Sequence, residues 1–329
     1  MKRLDIITFL RGFSIFTIVI FHYFQYLNVS PIVNKAINFG GTGIHLFLLL
    51  SGFGLWYSYL NKPLKFMDFL KRRFGKIYFP YVTIVLISAL ISLFLPIFEN
   101  SWYALFGHLL FYKMFDSTII GSYGYQLWFI STIIQFYFIF YLLIYLKKKL
   151  NDGWFLTLGF IVSISWSVFI ILIGKDDLRS WNSFMFQYLW EFMLGMLIAD
   201  RLKKDNFKIN INLYLLATIS VLSIVLYAAM ALKFGQVGKV LNDLPALIGY
   251  SGFAILIFKL NIKTINKFFI FTGELAFSVY LLHFLILFIF VKSISIPKPF
   301  IVMLSLLFTY LVSVYYDKAI NLLYKVMKI

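Results

Sequence analysis

Long apolar runs alternate along this chain with short polar, mostly basic, interruptions. A helix needs about 20 apolar residues to cross the hydrocarbon core of a bilayer. The pattern predicts such spans over residues 6–27, 40–60, 74–97, 126–146, 154–174, 182–200, 211–232, 242–258, 268–291 and 300–326. Pro245, Gly249 and Gly252 interrupt the eighth. The expected fold class is all-α: a polytopic transmembrane helical bundle of about ten spans. The longest outer interruption, 98–125, carries Trp102, Tyr103, Tyr112, Tyr123 and Tyr125. These suit an aromatic belt at the membrane interface or a stacking surface for sugars. No internal repeat or low-complexity tract is visible.

Composition agrees with this pattern. Of 329 residues, 62% are hydrophobic and 13% charged, and the mean hydropathy is +0.89. That is too little polar surface for a soluble domain. Ten helices and their loops consume nearly the whole length, so a single membrane domain over 1–329 is expected, with no appended soluble domain. The absence of cysteine rules out disulfides and thiolate chemistry. Lys2 and Arg3 before an apolar run resemble a signal peptide. The run is too long for one, however, contains Arg11 and meets no small-residue cleavage site, so a retained first helix is expected.

The net charge of +17 would suggest nucleic acid on a soluble chain. Here the positions of the cations matter more. With ten spans, 21 Lys and Arg fall at the two termini and in the alternate loops between them, against 8 in the other loops. Basic loops stay cytoplasmic. Both termini are therefore expected in the cytoplasm, the protein in the plasma membrane as a multi-pass chain among membrane lipids, and no nucleic-acid partner.

Ionisable groups within spans are costly and mark functional candidates. They are Arg11, His22, His45, Glu191, Glu274 and His283. Arg11 and His22 lie about 20° apart around the first helix and about 16 Å apart along it. Arginine forks onto phosphates, and histidine moves protons near neutral pH. A ligand with phosphate at one end and a reactive atom at the other, such as coenzyme A, would fit that face. A buried Arg paired with Asp5 or Glu274, beside a hydrogen-bonded core His, is the alternative. Lys71, Arg72, Arg73 and Lys76 are expected at a helix N-terminus, which attracts anions, or at a lipid headgroup site. His283 should lie at the depth of His22, and Glu274 at that of Arg11. Histidines 22, 45 and 283 share one half of the bilayer without supporting carboxylate or cysteine spacing, so no metal is expected. Glu191 faces either a cavity or a neighbouring helix.

These residues resemble the acyltransferase 3 family of membrane acyltransferases. Arg3-Leu4-Asp5, Leu10-Arg11-Gly12 and His22 resemble its opening. The stretch from Gly40-Gly41 through His45 to Ser51-Gly52-Phe53 resembles its glycine-led second element. Lys71-Arg72-Arg73 running through Lys76 to Pro80 is similar to its basic stretch. Leu127-Trp128-Phe129-Ile130, then Gln135-Phe136-Tyr137, and finally Gly273, Ser278, Tyr280, Leu281 and His283 match later elements. Lys76 stands where the family commonly has Arg, His45 where an acidic residue is common, and Ala276-Phe277 where Ser and Tyr are usual. The last helix, around Asp317 and Asn321, lacks the usual Glu-Pro pattern.

The resemblance implies transfer of an acyl group, usually acetyl, from cytoplasmic acyl-CoA to a hydroxyl of a cell-surface glycan or its lipid-linked precursor. It gives His22 the catalytic role and the coenzyme to Arg11, Arg72, Arg73 and Lys76. Acceptor contacts are expected from Trp128, Tyr280 and His283. A transporter or flippase suits the helix count and mid-membrane charges too, and an assembly subunit is a third class.

Overall fold

The computed structural model describes residues 5–27, 29–30, 33–34, 39–205 and 212–327. Lys2, Arg3, Leu4, Lys35, Lys208 and Lys328, used above, lie outside these. The main helices are α1 (Asp5–Phe24), α2 (Gly43–Asn61), α3 (Phe66–Phe94), α4 (Trp102–Leu109), α5 (Trp128–Lys149), α6 (Asp152–Leu172), α7 (Leu189–Asp205), α8 (Leu213–Leu241), α9 (Asp243–Lys259), α10 (Lys263–Glu274), α11 (Ala276–Ser293) and α12 (Lys298–Met327). There is no strand among the described residues. Each predicted span contains helix, although residues 183–188 of the sixth form turns ahead of α7. Eight helical stretches are long and apolar enough to cross a membrane. The two spans outside that set, α7 and α9, have 17 residues each. At 1.5 Å per residue they reach about 26 Å, the lower limit for a span.

Two predicted elements need correction. The ninth span is not one helix, because α10 ends at Glu274 and α11 begins at Ala276. Glu274 is exposed at this break and is not a buried partner of Arg11. Apolar residues run through the break, so hydropathy does not register it. The third helix begins at Phe66, ahead of the basic stretch. Arg72, Arg73 and Lys76 therefore lie beyond the first turn, where the helix dipole has faded.

The chain divides into two compact units. The first comprises 1–16, 41–65 and 138–274, the second 17–40, 66–137 and 275–329. In the first, α2 packs along α7, α7 on α6, and α8 on α9. The crossing of α2 and α7 is a backbone contact. A Cβ on Gly52 would lie 2.0 Å from the Phe192 carbonyl oxygen, and one on Gly195 would lie 1.9 Å from that of Leu49. Only glycine permits this approach, and it brings the polar side chains of both helices within reach of each other.

In the second unit α11 packs on α12 and on α3. Pro80 sits inside α3 and has no N–H to offer the carbonyl four residues earlier. That carbonyl, on Lys76, accepts instead from the Tyr324 hydroxyl at 2.6 Å. The Tyr316 hydroxyl donates to the Pro80 carbonyl at 2.6 Å. Two tyrosines of α12 thus fasten the basic part of α3.

Candidate active site

His22, on α1, and His283, on α11, meet in the second unit. The distance from His22 Nδ1 to His283 Nε2 is 3.0 Å, and the ring planes are 12° apart. His283 Nδ1 lies 2.7 Å from the Tyr280 carbonyl oxygen and 3.1 Å from that of Val279. A carbonyl only accepts, so His283 Nδ1 carries the proton. In the neutral ring Nε2 then holds a lone pair. His22 Nδ1 must donate to it, which leaves the lone pair of His22 on Nε2. The pair is thus ordered from a helix carbonyl through two imidazoles to one basic nitrogen.

His283 is fully buried and His22 partly so. The buried Tyr23 hydroxyl donates to the His283 carbonyl at 2.8 Å. The Thr309 hydroxyl lies 2.6 Å from it and donates in turn. Three helices, α1, α11 and α12, therefore fix the pair. The Phe284 ring, 4.7 Å from the His22 ring, covers one side.

Trp128 and Tyr280 belong to the same unit and are buried. The Tyr280 hydroxyl donates to the Gln126 carbonyl at 2.7 Å. It thereby holds the segment that leads into Trp128. That segment is strained: Tyr123 has φ 49° and Gly124 φ 118°. Glycine at 124 is the residue that tolerates such a backbone.

Lys113, counted from the sequence as an outer-loop cation, is buried. Its Nζ donates to the carbonyls of Ser122 at 2.9 Å and Gly124 at 2.6 Å. Burial holds this amine well below the usual lysine range. His108 beside it accepts from the Tyr81 hydroxyl at Nδ1 (2.8 Å) and donates from Nε2 to the Ser122 carbonyl (3.0 Å). Burial, then the Lys113 charge, keeps His108 well below the ordinary imidazole range. Of the loop aromatics, Trp102 and Tyr103 are exposed and Tyr123 is buried.

Arg72, Arg73 and Lys76 line α3, the first exposed and the others half-buried. The Arg73 guanidinium lies 6.0 Å from the centre of the Phe69 ring. None of the three pairs with a carboxylate among the described residues. Arg11 lies in the first unit, on the helix that carries His22 into the second. It too has no ion pair among the described residues, so pairing with Asp5 or Glu274 is not what holds it.

A comparison with protein-family models matches residues 4–318 to the acyltransferase domain of the acyltransferase 3 family. The chain belongs to the acyltransferase 3 family. No curated protein and no solved structure matches it. Membership makes the protein a membrane acyltransferase, an enzyme. In this acyltransferase the remaining span residues, His45 and Glu191, meet in the first unit. His45 Nδ1 lies 2.7 Å from Glu191 Oε1. Their third neighbour, Asp243, was not singled out from the sequence. It stands at a span border beside Asn242 and Pro245, where a polar residue carries no special signal.

Proposed function

We propose that this acyltransferase moves an acyl group, acetyl being the expected one, from cytoplasmic acyl-CoA to a hydroxyl of a cell-surface polysaccharide or its lipid-linked precursor. The setting is the plasma membrane. The observation that carries the reading is the orientation of the histidine pair, with a lone pair on His22 Nε2.

In the proposed reaction His22 Nε2 takes the proton of the acceptor hydroxyl as its oxygen attacks the thioester carbonyl. The C–O bond forms and the C–S bond breaks. The departing thiolate takes the proton back from the His22 imidazolium. While it exists, the imidazolium donates from Nδ1 to the His283 lone pair, which spreads its charge. General-base help of this kind contributes about 10²–10⁴-fold. Arg72, Arg73 and Lys76, without carboxylate partners among the described residues, are the proposed phosphate ligands. Arg11, which shares a helix face with His22, is a further proposed phosphate ligand on the sequence argument alone. Lys76 offers a point charge where arginine would offer a fork. Trp128 and His283 are the proposed neighbours of the acceptor.

The test is O-acylation of surface glycan, read by mass spectrometry in cells expressing His22→Ala at wild-type membrane levels. The expected result is a loss of about 10²–10⁴-fold. Retained acylation removes His22 from the mechanism.

A further inference from the structure

The first unit contains a second group of ionisable side chains that the acyl-transfer chemistry does not use. His45 lies in the first turn of α2, Glu191 near the start of α7, and Asp243 is the first residue of α9. The glycine crossing of α2 and α7 brings the first two together. His45 Nδ1 is 2.7 Å from Glu191 Oε1, and His45 Nε2 is 3.8 Å from Asp243 Oδ1. One ligand atom from each of the three lies within 4.8 Å of the others.

With both carboxylates ionised the charges do not balance. No lysine or arginine among the described residues pairs with Glu191 or Asp243. Two ionised carboxylates around a neutral imidazole leave two negative charges in an apolar interior. An imidazolium would neutralise only one of them. Unpaired charge in such surroundings is costly. In addition, Glu191 Oε2 is fully buried and has no hydrogen-bond partner among the described residues. A buried carboxylate oxygen with nothing to accept from is a vacant ligand.

The surroundings are those of an oriented ligand set. Asp243 Oδ2 accepts from Gln187 Nε2 at 2.7 Å. The same amide nitrogen donates to the Val240 carbonyl at 2.8 Å, and Gln187 Oε1 lies 3.0 Å from Ser167 Oγ. Gln187 is thereby fixed with its donor toward the carboxylate, as outer-shell groups fix metal ligands. The His45 and Asp243 side chains are 11% and 12% exposed, which leaves a way in for a small ion.

We propose that His45, Glu191 and Asp243 form a divalent-cation site, with zinc as its ion. One imidazole and two carboxylates suit zinc, with water completing four-coordination. Two negative charges and one divalent ion make the cluster neutral. Bonds of about 2.1 Å place tetrahedral ligand atoms about 3.4 Å apart. To reach that spacing the 2.7 Å contact of His45 with Glu191 opens, and the widest separation, within 4.8 Å, closes, by about an ångström of side-chain movement.

The test uses the full chain, without a polyhistidine tag, purified in detergent, stripped with chelator, reloaded with zinc and passed through gel filtration. Elemental analysis should find about one zinc per chain, and the midpoint of thermal unfolding should rise with zinc. The isosteric variants Glu191→Gln and Asp243→Asn should lose the ion, and Gln187→Ala should bind it about 10–100-fold more weakly. His283→Ala should still bind, which separates this ion from the histidine pair. Reloaded wild-type protein without zinc overturns the proposal, and so does retention unchanged in both isosteric variants. A thermal midpoint that follows pH but ignores zinc also overturns it, because protons would then hold the triad together. Every readout is binding or stability, so the outcome does not depend on the acyl-transfer reaction.

Discussion

His283 does more than stand next to His22. Its Nδ1 proton is committed to the Tyr280 carbonyl, so its Nε2 selects which nitrogen of His22 is basic. Replacing it with leucine removes that selection and leaves His22 free to turn. In His283→Leu, kcat should fall about 10²-fold, the scale of a misoriented catalytic group. KM for acyl-CoA should stay close to wild type, because no phosphate ligand has moved. Steady-state kinetics on purified protein separates the two constants. An equal loss carried entirely by KM would show that His283 binds rather than orients.

His108 makes a prediction about pH. Its folded state accepts a proton far less readily than the unfolded chain, because the ring is buried and Lys113 lies alongside. As pH falls below about 6.5, the unfolded chain gains a proton that the folded loop refuses. Stability contributed by the neutral ring is therefore lost on acidification, down to the depressed folded value. Proteolysis of the 98–125 loop should accelerate below that pH, and His108→Gln should flatten the dependence. At this scale the sequence was partly legible. His22 and His283 stand out as ionisable residues inside apolar runs. Lys113 does not, because its partners are the backbone carbonyls of Ser122 and Gly124, which no side-chain pattern records.

Among elements, the α2–α7 crossing is the most sensitive contact. Gly195→Ala places a methyl group 1.9 Å from the Leu49 carbonyl oxygen, and the helices must separate. The cost should be about 1–3 kcal/mol or more, measured as a lower unfolding midpoint in detergent. Gly54, also in α2, has open space where its Cβ would lie. Gly54→Ala should be neutral or stabilising, since alanine exceeds glycine in helix propensity by up to about 1 kcal/mol. The spacing of apolar residues anticipated a helix at every span but not the break at Leu275 or the early start of α3. In both places the residues on either side suit helix equally well. Which turn breaks is decided by packing, which hydropathy does not contain.

For the whole molecule, orientation can be tested directly because the chain has no cysteine. In intact cells a membrane-impermeant maleimide should label Asp177→Cys, in a loop expected outside, and spare Lys148→Cys, at the basic end of α5 expected in the cytoplasm. The opposite pattern would invert the topology. The fold divides into two compact units, and two of the boundaries between them fall within helices, α1 and α5. A membrane helix can serve two units without any change in its composition, so at those two places the sequence offers no mark of the division.

The Tyr280 carbonyl that holds the His283 proton has one further consequence for the proposed chemistry. The imidazole pair is a dead end for protons: His283 cannot pass one onward without breaking its bond to its own helix. Whatever His22 removes from the sugar must be handed back within the same encounter, and the sulfur leaving the coenzyme is the base at hand. Each turnover would then close its own proton account, and acylation of the glycan would draw nothing from the ion gradient across the membrane.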